Sequence, residues 1–116
     1  MIEVTTLKYL ISKNITGIGG NVYAEVPENP PAEYILIQKM GSGEINRIDR
    51  AMILVQSISK YSLLSAMEIN DLVKKAMAEF ANESNKIYSC KLNSDYNNTN
   101  TETKEYRYNA VFNIYY

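Results

Sequence analysis

The C-terminal residues 106–116 alternate between two sets of side chains, and this alternation constrains the fold more than any other feature of the sequence. One set is Tyr106, Tyr108, Ala110, Phe112, Ile114 and Tyr116, and the other is Arg107, Asn109, Val111, Asn113 and Tyr115. Successive side chains of a β-strand point to opposite faces of a sheet. The pattern therefore predicts a strand, and the chain must supply partner strands and a layer that covers them.

Two segments with helical periodicity are predicted to form that layer. Residues 62–81 begin with Ser62 as the N-cap, and residues 3–13 end at Asn14 and Gly17. The apolar face predicted for residues 62–81 consists of Leu64, Met67, Leu72, Val73, Ala76, Met77 and Phe80. The face predicted for residues 3–13 consists of Val4, Leu7, Leu10 and Ile11.

The remaining strands are predicted from short apolar runs that turn residues separate. They are residues 21–26, 33–40, 50–60 and 87–92. Residues 27–31 contain three prolines and form a loop, because proline has no amide proton for a ladder. Residues 41–44, Gly-Ser-Gly-Glu, are predicted to form a turn. Residues 93–104 are polar without periodicity and are predicted to form a mobile loop.

The resulting element order is α-β-β-β-α-β-β. Strands that short turns join pair antiparallel. We therefore predict an α+β fold, a two-layer sandwich in one domain spanning residues 1–116. Two helices cover one face of a mostly antiparallel sheet of about five strands.

Composition argues against several function classes. The net charge is −1, from 12 basic and 13 acidic side chains, so the basic excess of a nucleic-acid-binding protein is missing. The chain has no histidine and only one cysteine, Cys90, which excludes histidine-dependent triads and multi-ligand zinc sites. We predict no enzyme activity, no catalytic residue, no metal and no cofactor, with Cys90 as a core residue on a strand.

Localisation is predicted from the same features. One thiol cannot form an internal disulfide, which suits a reducing compartment. No apolar run approaches the roughly 20 residues that cross a bilayer, and the N-terminal residues lack a secretory pattern. These features predict a cytoplasmic protein with no membrane partner.

The aromatic composition favours protein contacts, with 10 tyrosines, two phenylalanines and no tryptophan. Tyrosine is enriched at protein interfaces. Tyr115 and Tyr116 end the terminal strand, where they are hard to bury in a small domain, so we predict that they contact a neighbouring subunit. The terminal strand is expected to be an open sheet edge, whereas the proline-flanked strand 21–26 is expected to be blocked.

Residues 33–80 combine several features in a fixed order. They are the strand Tyr34-Ile35-Leu36-Ile37-Gln38-Lys39, the turn Gly41-Ser42-Gly43-Glu44, the polar run Asn46-Arg47-Ile48-Asp49-Arg50, the strand Met52-Ile53-Leu54-Val55-Gln56, and a helix from Ser62 through Met77. With the closing tyrosine-rich strand, this combination resembles the tail-terminator and head–tail joining proteins of long-tailed phages and prophages. None of these features is a catalytic signature.

The resemblance implies a ring, commonly a hexamer, that caps the tail tube at its head-proximal end. The implied partners are other copies of the chain, the tail-tube protein and the head connector. The implied location is the host bacterial cytoplasm during assembly and then the virion. Ring closure requires a head-to-tail interface, and Glu44, Arg47, Asp49 and Arg50 are the residues we expect at or near subunit contacts.

Two alternatives remain open on the sequence alone. One is another phage neck or tail component with a similar small fold. The other is a ferredoxin-like regulatory or ligand-binding module, because its α+β layout is similar.

Overall fold

The structure is a computed structural model that describes residues 1–45 and 47–116. Its elements are α1 (Ile2–Ser12), β1 (Val22–Tyr23), β2 (Glu33–Ile45), β3 (Ile48–Ser59), α2 (Leu63–Ala78), α3 (Phe80–Glu83), β4 (Ser89–Asn97) and β5 (Tyr106–Tyr115). The strands form one 5-stranded sheet in the order β1-β2-β3-β5-β4. The predicted α+β fold with a mostly antiparallel sheet is confirmed.

The centre of the sheet is β3, which pairs antiparallel with both β2 and β5. Every residue from Ile53 to Ser59 is buried. Ile53 and Val55 point toward the helices and join the main core, whereas Ile58 belongs to a smaller cluster on the other face. Burial on both faces explains why the sequence of β3 is apolar at consecutive positions.

The helices cover one face of the sheet, as predicted. The ring of Tyr9 in α1 stacks on Phe80 in α3 with centroids 4.3 Å apart. The Tyr9 hydroxyl also donates a hydrogen bond of 2.6 Å to the Ala76 carbonyl oxygen in α2. Leu10 and Met77 are fully buried in the same core. Contacts between side chains that are distant in sequence therefore hold the helical layer together.

Ser62 caps α2 as predicted, because its Oγ accepts a hydrogen bond of 3.0 Å from the Ser65 amide. The predicted apolar face of α2 is wrong in its first turns. Leu64 is 64% exposed and Met67 is 40% exposed. The buried positions are Ala66, Ile69, Asn70, Val73, Ala76 and Met77. The small Ala66 occupies the buried position in the first turn, whereas the larger Leu64 and Met67 face solvent.

The predicted apolar face of α1 is also partly wrong. Its buried residues are Ile2, Thr6 and Leu10, which follow one another at four-residue spacing. Val4 and Ile11 are exposed. The Thr6 hydroxyl donates a 2.8 Å hydrogen bond to the Ile2 carbonyl oxygen, which allows a polar side chain to occupy the buried stripe.

The first strand does not pair as predicted. β1 runs parallel to β2, with Val22 opposite Ile35 and Tyr23 opposite Leu36. The expectation of antiparallel pairing assumed a short turn between the two strands. The proline-containing segment 24–32 instead returns the chain to the start of β2, so both strands run in the same direction.

The predicted glycine turn is wrong as well. Gly41 and Gly43 lie within β2, opposite Met52 and Arg50, and the register shifts between Lys39 and Gly41. The chain reverses between Ile45 and Ile48, which are paired. Arg47 takes the left-handed conformation there, with φ of 66°. Asn46, which the sequence analysis included in the polar run, lies outside the described residues.

Two predictions about the end of the sheet are corrected. β4 continues to Asn97, so residues 93–97 are strand and not loop. β5 is an inner strand between β3 and β4, so the terminal strand is not a sheet edge. An edge strand with polar residues on both faces has no alternation to reveal it, which is why the sequence of residues 93–97 indicated a loop. Mobility of residues 98–104 stays a prediction.

The face of the sheet away from the helices carries a smaller apolar cluster of Tyr34, Leu36 and Ile58. Tyr23 packs against it, with its ring meeting that of Tyr34 edge-on and the ring centroids 6.1 Å apart.

Among the helices of the described residues, none is long and apolar enough to span a membrane.

Replacing Ser62 by Ala should lower the free energy of unfolding by about 1 kcal/mol, because the Ser65 amide loses its acceptor. Urea denaturation followed by circular dichroism measures the change. Thr101→Ala, in an exposed turn, is the matched control and should change stability by less than about 0.5 kcal/mol. Equal stability of the Ser62 variant and the native protein would contradict the capping role.

Candidate functional site

The residues predicted to contact other subunits gather at one end of the sheet, where β2 and β3 form a hairpin. Glu44 is paired with Asp49 across this hairpin. Asp49 also exchanges two backbone hydrogen bonds with Tyr116, of 3.0 and 2.9 Å. Arg50 is paired with Tyr115. Nonlocal pairing of β3 with β5 therefore joins two groups of residues that are far apart in sequence.

The charged members of this group divide between the two faces of the hairpin. Directly opposite residues in an antiparallel pair point to the same face, so the side chains of Glu44 and Asp49 both point to the helical face. Arg50 points to the other face, where its Nη2 lies 3.7 Å from the position that a Cβ on Gly43 would occupy. Arg47 is exposed in the turn itself. The hairpin therefore presents negative charge on one face and positive charge on the other.

The two terminal tyrosines are more buried than expected. Both are partly buried, and Tyr116 packs against the main core. Whether Tyr115 and Tyr116 contact a neighbouring subunit stays a prediction. The sequence interpretation missed two apolar side chains near the hairpin, Met40 and Ile45, which are 53% and 48% exposed. Neither belongs to a periodic pattern, so no sequence signal identified them.

Two open clefts adjoin the helices. The first, of about 310 Å³, is lined by Met1, Ile2, Glu3, Thr5, Lys39, Lys86, Ile87 and Tyr116. The second, of about 350 Å³, is lined by Lys13, Asn14, Ile15, Thr16, Leu72, Lys75, Ala76 and Glu79. In the first, Lys39 Nζ lies 3.8 Å from Glu3 Oε2. Within residues 1–45 and 47–116, no group of three or more potential metal ligands occurs.

Cys90 lies on β4 and packs against the main core, as the sequence interpretation placed it. Burial raises the pKa of its thiol to about 12. The thiol is therefore protonated at neutral pH, whereas a nucleophilic cysteine needs a thiolate.

Cys90 should react with a thiol reagent such as dithionitrobenzoate far more slowly in the folded protein than in the urea-unfolded chain. The raised pKa lowers the thiolate fraction at pH 7 by a factor on the order of 10³. Absorbance of the released thiolate follows the reaction. Similar rates for the folded and unfolded chains would contradict the burial of this thiol.

The outer strand β4 is attached to the helical layer through Asp95. Its Oδ2 accepts hydrogen bonds of 2.9 Å from Lys74 Nζ and 3.0 Å from Asn70 Nδ2. The hydrogen bond from Lys74 lowers the pKa of the Asp95 carboxyl below its ordinary value. Burial raises this pKa, but the hydrogen bond from Asn70 lowers it further, and the net shift is downward. The same pairing raises the pKa of Lys74. This contact links the outer strand β4 to α2.

Replacing Asp95 by Asn should lower the free energy of unfolding at pH 7 by about 1 kcal/mol. Because the folded-state pKa of Asp95 is lowered, its stabilising contribution is complete above about pH 4 and is lost as the pH falls through the folded value. The difference between variant and native protein should therefore shrink below pH 4 in urea titrations. Asp71→Asn, at a more exposed partner of Lys74, is the control. A difference that is constant with pH would contradict the ion pair.

The sequence matches no protein-family model and no curated protein. The fold is similar to that of a chain in a solved structure described as the virion of a native gene transfer agent (GTA) particle. The TM-score is 0.71 at 12% sequence identity, and the superposition covers 95% of this chain and 90% of that chain. At this identity the comparison establishes a shared fold, which extends over nearly the whole length of both chains.

Proposed function

We propose that the protein is a structural component of a phage-like virion, which assembles as a ring at the head-proximal end of a tail tube. The observation that carries this proposal is the fold shared with a virion chain over 95% of the sequence. The resemblance of residues 33–80 to tail-terminator and head–tail joining proteins supports the position in the tail. Assembly would take place in the host cytoplasm before the ring enters the virion.

The arrangement of the surface supports assembly. One end of the sheet presents an exposed hairpin with opposite charges on its two faces, together with the exposed apolar side chains Met40 and Ile45. A surface of this kind can contact a different surface on the next copy, which is the head-to-tail interface that a closed ring requires.

The order of the elements differs from that of the ferredoxin-like alternative. The described elements begin with a helix and three strands, whereas a ferredoxin-like module has the order β-α-β-β-α-β.

The direct test combines the purified protein with the tail-tube protein of the same phage or prophage. Light scattering and negative-stain microscopy should detect rings, tubes capped at one end, and an arrest of tube growth. Gold-labelled protein should mark the head-proximal end of assembled tails. A monomer that leaves tube growth unchanged contradicts the proposal, and labelling elsewhere on the particle favours a different neck or tail component.

Reversing the charges of Arg47 and Arg50 to Glu should weaken ring formation on the order of tenfold or more, because a charge reversal at an interface places like charges together. Both side chains are exposed, so the free energy of unfolding should change by less than about 0.5 kcal/mol. Sedimentation velocity measures assembly. Lys104→Glu, another exposed cation at a left-handed position, is the control. Unchanged assembly of the double variant would exclude the arginines from the interface.

A further inference from the structure

Among the described residues, backbone groups without a partner strand lie on two sides of the sheet, on β1 and part of β2 at one side and on β4 at the other. β1 pairs only with Ile35 and Leu36 of β2, so residues 38–45 extend beyond it. We call this segment the β2 free edge. On the opposite side of the sheet, β4 pairs with β5 alone, and its outer side, residues 89–97, is the β4 free edge. An open edge is a template for another strand unless it is blocked.

The directions of the two free edges are complementary. The four long strands β2, β3, β5 and β4 alternate in direction, because each neighbouring pair is antiparallel. The two outermost long strands therefore run in opposite directions. Rotation about a ring axis along the strands preserves these directions, so β4 of one copy meets β2 of the next copy antiparallel. An even number of long strands makes the alternation continuous around the ring.

The two free edges also lie at the same level of the sheet. Following the register across the strands, Gly43 aligns with Arg50, then with Tyr115, and then with Ser89. Two residues further along β3, Met52 is paired with Gly41 of β2 on one side and with Asn113 of β5 on the other. Asn113 is in turn paired with Lys91 of β4, so Gly41 and Lys91 lie at the two ends of this row. If neighbouring copies are related by rotation about the ring axis, with no shift along it, residues 38–43 of one copy lie beside residues 89–94 of the next.

The glycines of the β2 free edge, Gly41 and Gly43, leave that edge without bulky side chains. A Cβ built on Gly41 would meet nothing within 4 Å. Neither Gly41 nor Gly43 has a positive φ. Glycine inside a strand often marks a bulge, and Gly41 lies at the register shift that follows Lys39. The open space beside Gly41 leaves this part of the edge unobstructed.

The side chains along the two edges are compatible with pairing. Neither free edge contains proline, which would remove a ladder donor. In the aligned rows, Gly43 is opposite Ser89, Ser42 is opposite Cys90, and Gly41 is opposite Lys91, so no row places like charges together. The exposed apolar side chains Met40 and Leu92 would lie within about one row of each other and lose contact with water.

We propose that the β2 free edge of one copy pairs antiparallel with the β4 free edge of the next copy, with Gly41 opposite Lys91 and Gly43 opposite Ser89. The partner is a second copy of this chain, and the interface continues the sheet from subunit to subunit. The inference rests on the proposed assembly into a ring. The inference identifies the surfaces that form the ring, whereas the proposed function concerns only the position of the ring in the particle.

Disulfide cross-linking tests the register directly. The variant carries Gly41→Cys and Lys91→Cys in a Cys90→Ala background, so that the two introduced thiols are the only ones. Paired residues in an antiparallel ladder have Cα atoms roughly 4.5–5.5 Å apart, within the range for a disulfide. Within one chain the same two residues are three strand spacings apart, about 14 Å, which prevents an internal bond.

After mild oxidation, the double-cysteine variant should give a covalent ladder that extends beyond dimer on a non-reducing gel. Each single-cysteine variant can give no product larger than a dimer. The displaced control, Gly41→Cys with Asn97→Cys, lies about 16 Å out of register along β4 and should give no ladder above dimer. Circular dichroism of the reduced variants and thermal melting establish that each is folded.

The outcomes separate this inference from the proposed function. A ladder that depends on both introduced thiols supports the pairing. If microscopy detects rings but the folded double variant gives no ladder, the pairing is wrong and the ring role stands. If the protein forms neither rings nor a ladder, the shifts in register at Lys39/Gly41 and Leu92/Ser94 act as edge blocks, and the pairing is overturned. If a ladder forms but tubes are not capped, the pairing stands and the proposed function fails.

Discussion

The backbone pairing of β3 with β2 on one side and β5 on the other is the interaction on which the rest of the structure depends. It buries every residue from Ile53 to Ser59 and aligns the core positions of three strands under the helices. It also determines which strands are outermost. Because the inner strands have partners on both sides, the backbone groups without a partner strand among the described residues belong to β1, to β2 beyond β1 and to β4.

Features with a strong local signal could be predicted from the sequence. The Ser62 cap and the helical spacing after it identify α2, and the alternation of residues 106–116 identifies β5. Each depends on side chains within a few residues of one another, so tertiary context does not alter them. The apolar faces of the helices were less predictable, since Ala66 and Thr6 are buried while the larger Leu64 is exposed.

Features that depend on distant partners could not be predicted. Gly41 and Gly43 suggested a turn, but pairing with β3 keeps them extended, and Arg47 takes the positive φ instead. The same limit applies to the candidate site. Glu44, Arg47, Asp49 and Arg50 are neighbours in sequence, whereas their proximity to Tyr115 and Tyr116 results from β3–β5 pairing. The polar end of β4 gave no signal because its residues are polar on both faces, so no apolar alternation marks the strand.

The proposed assembly requires the protein to present the outer edges of its sheet to further copies of itself. Hydrogen–deuterium exchange, compared between dilute protein and assembled rings, tests this claim most directly. Amides in residues 38–43 and 89–94 should exchange more slowly in the rings, while those of β3 and β5, already paired within the chain, should be unchanged. Protection confined to the clefts beside α1 and α2, with both edges exchanging as in the dilute protein, would contradict it.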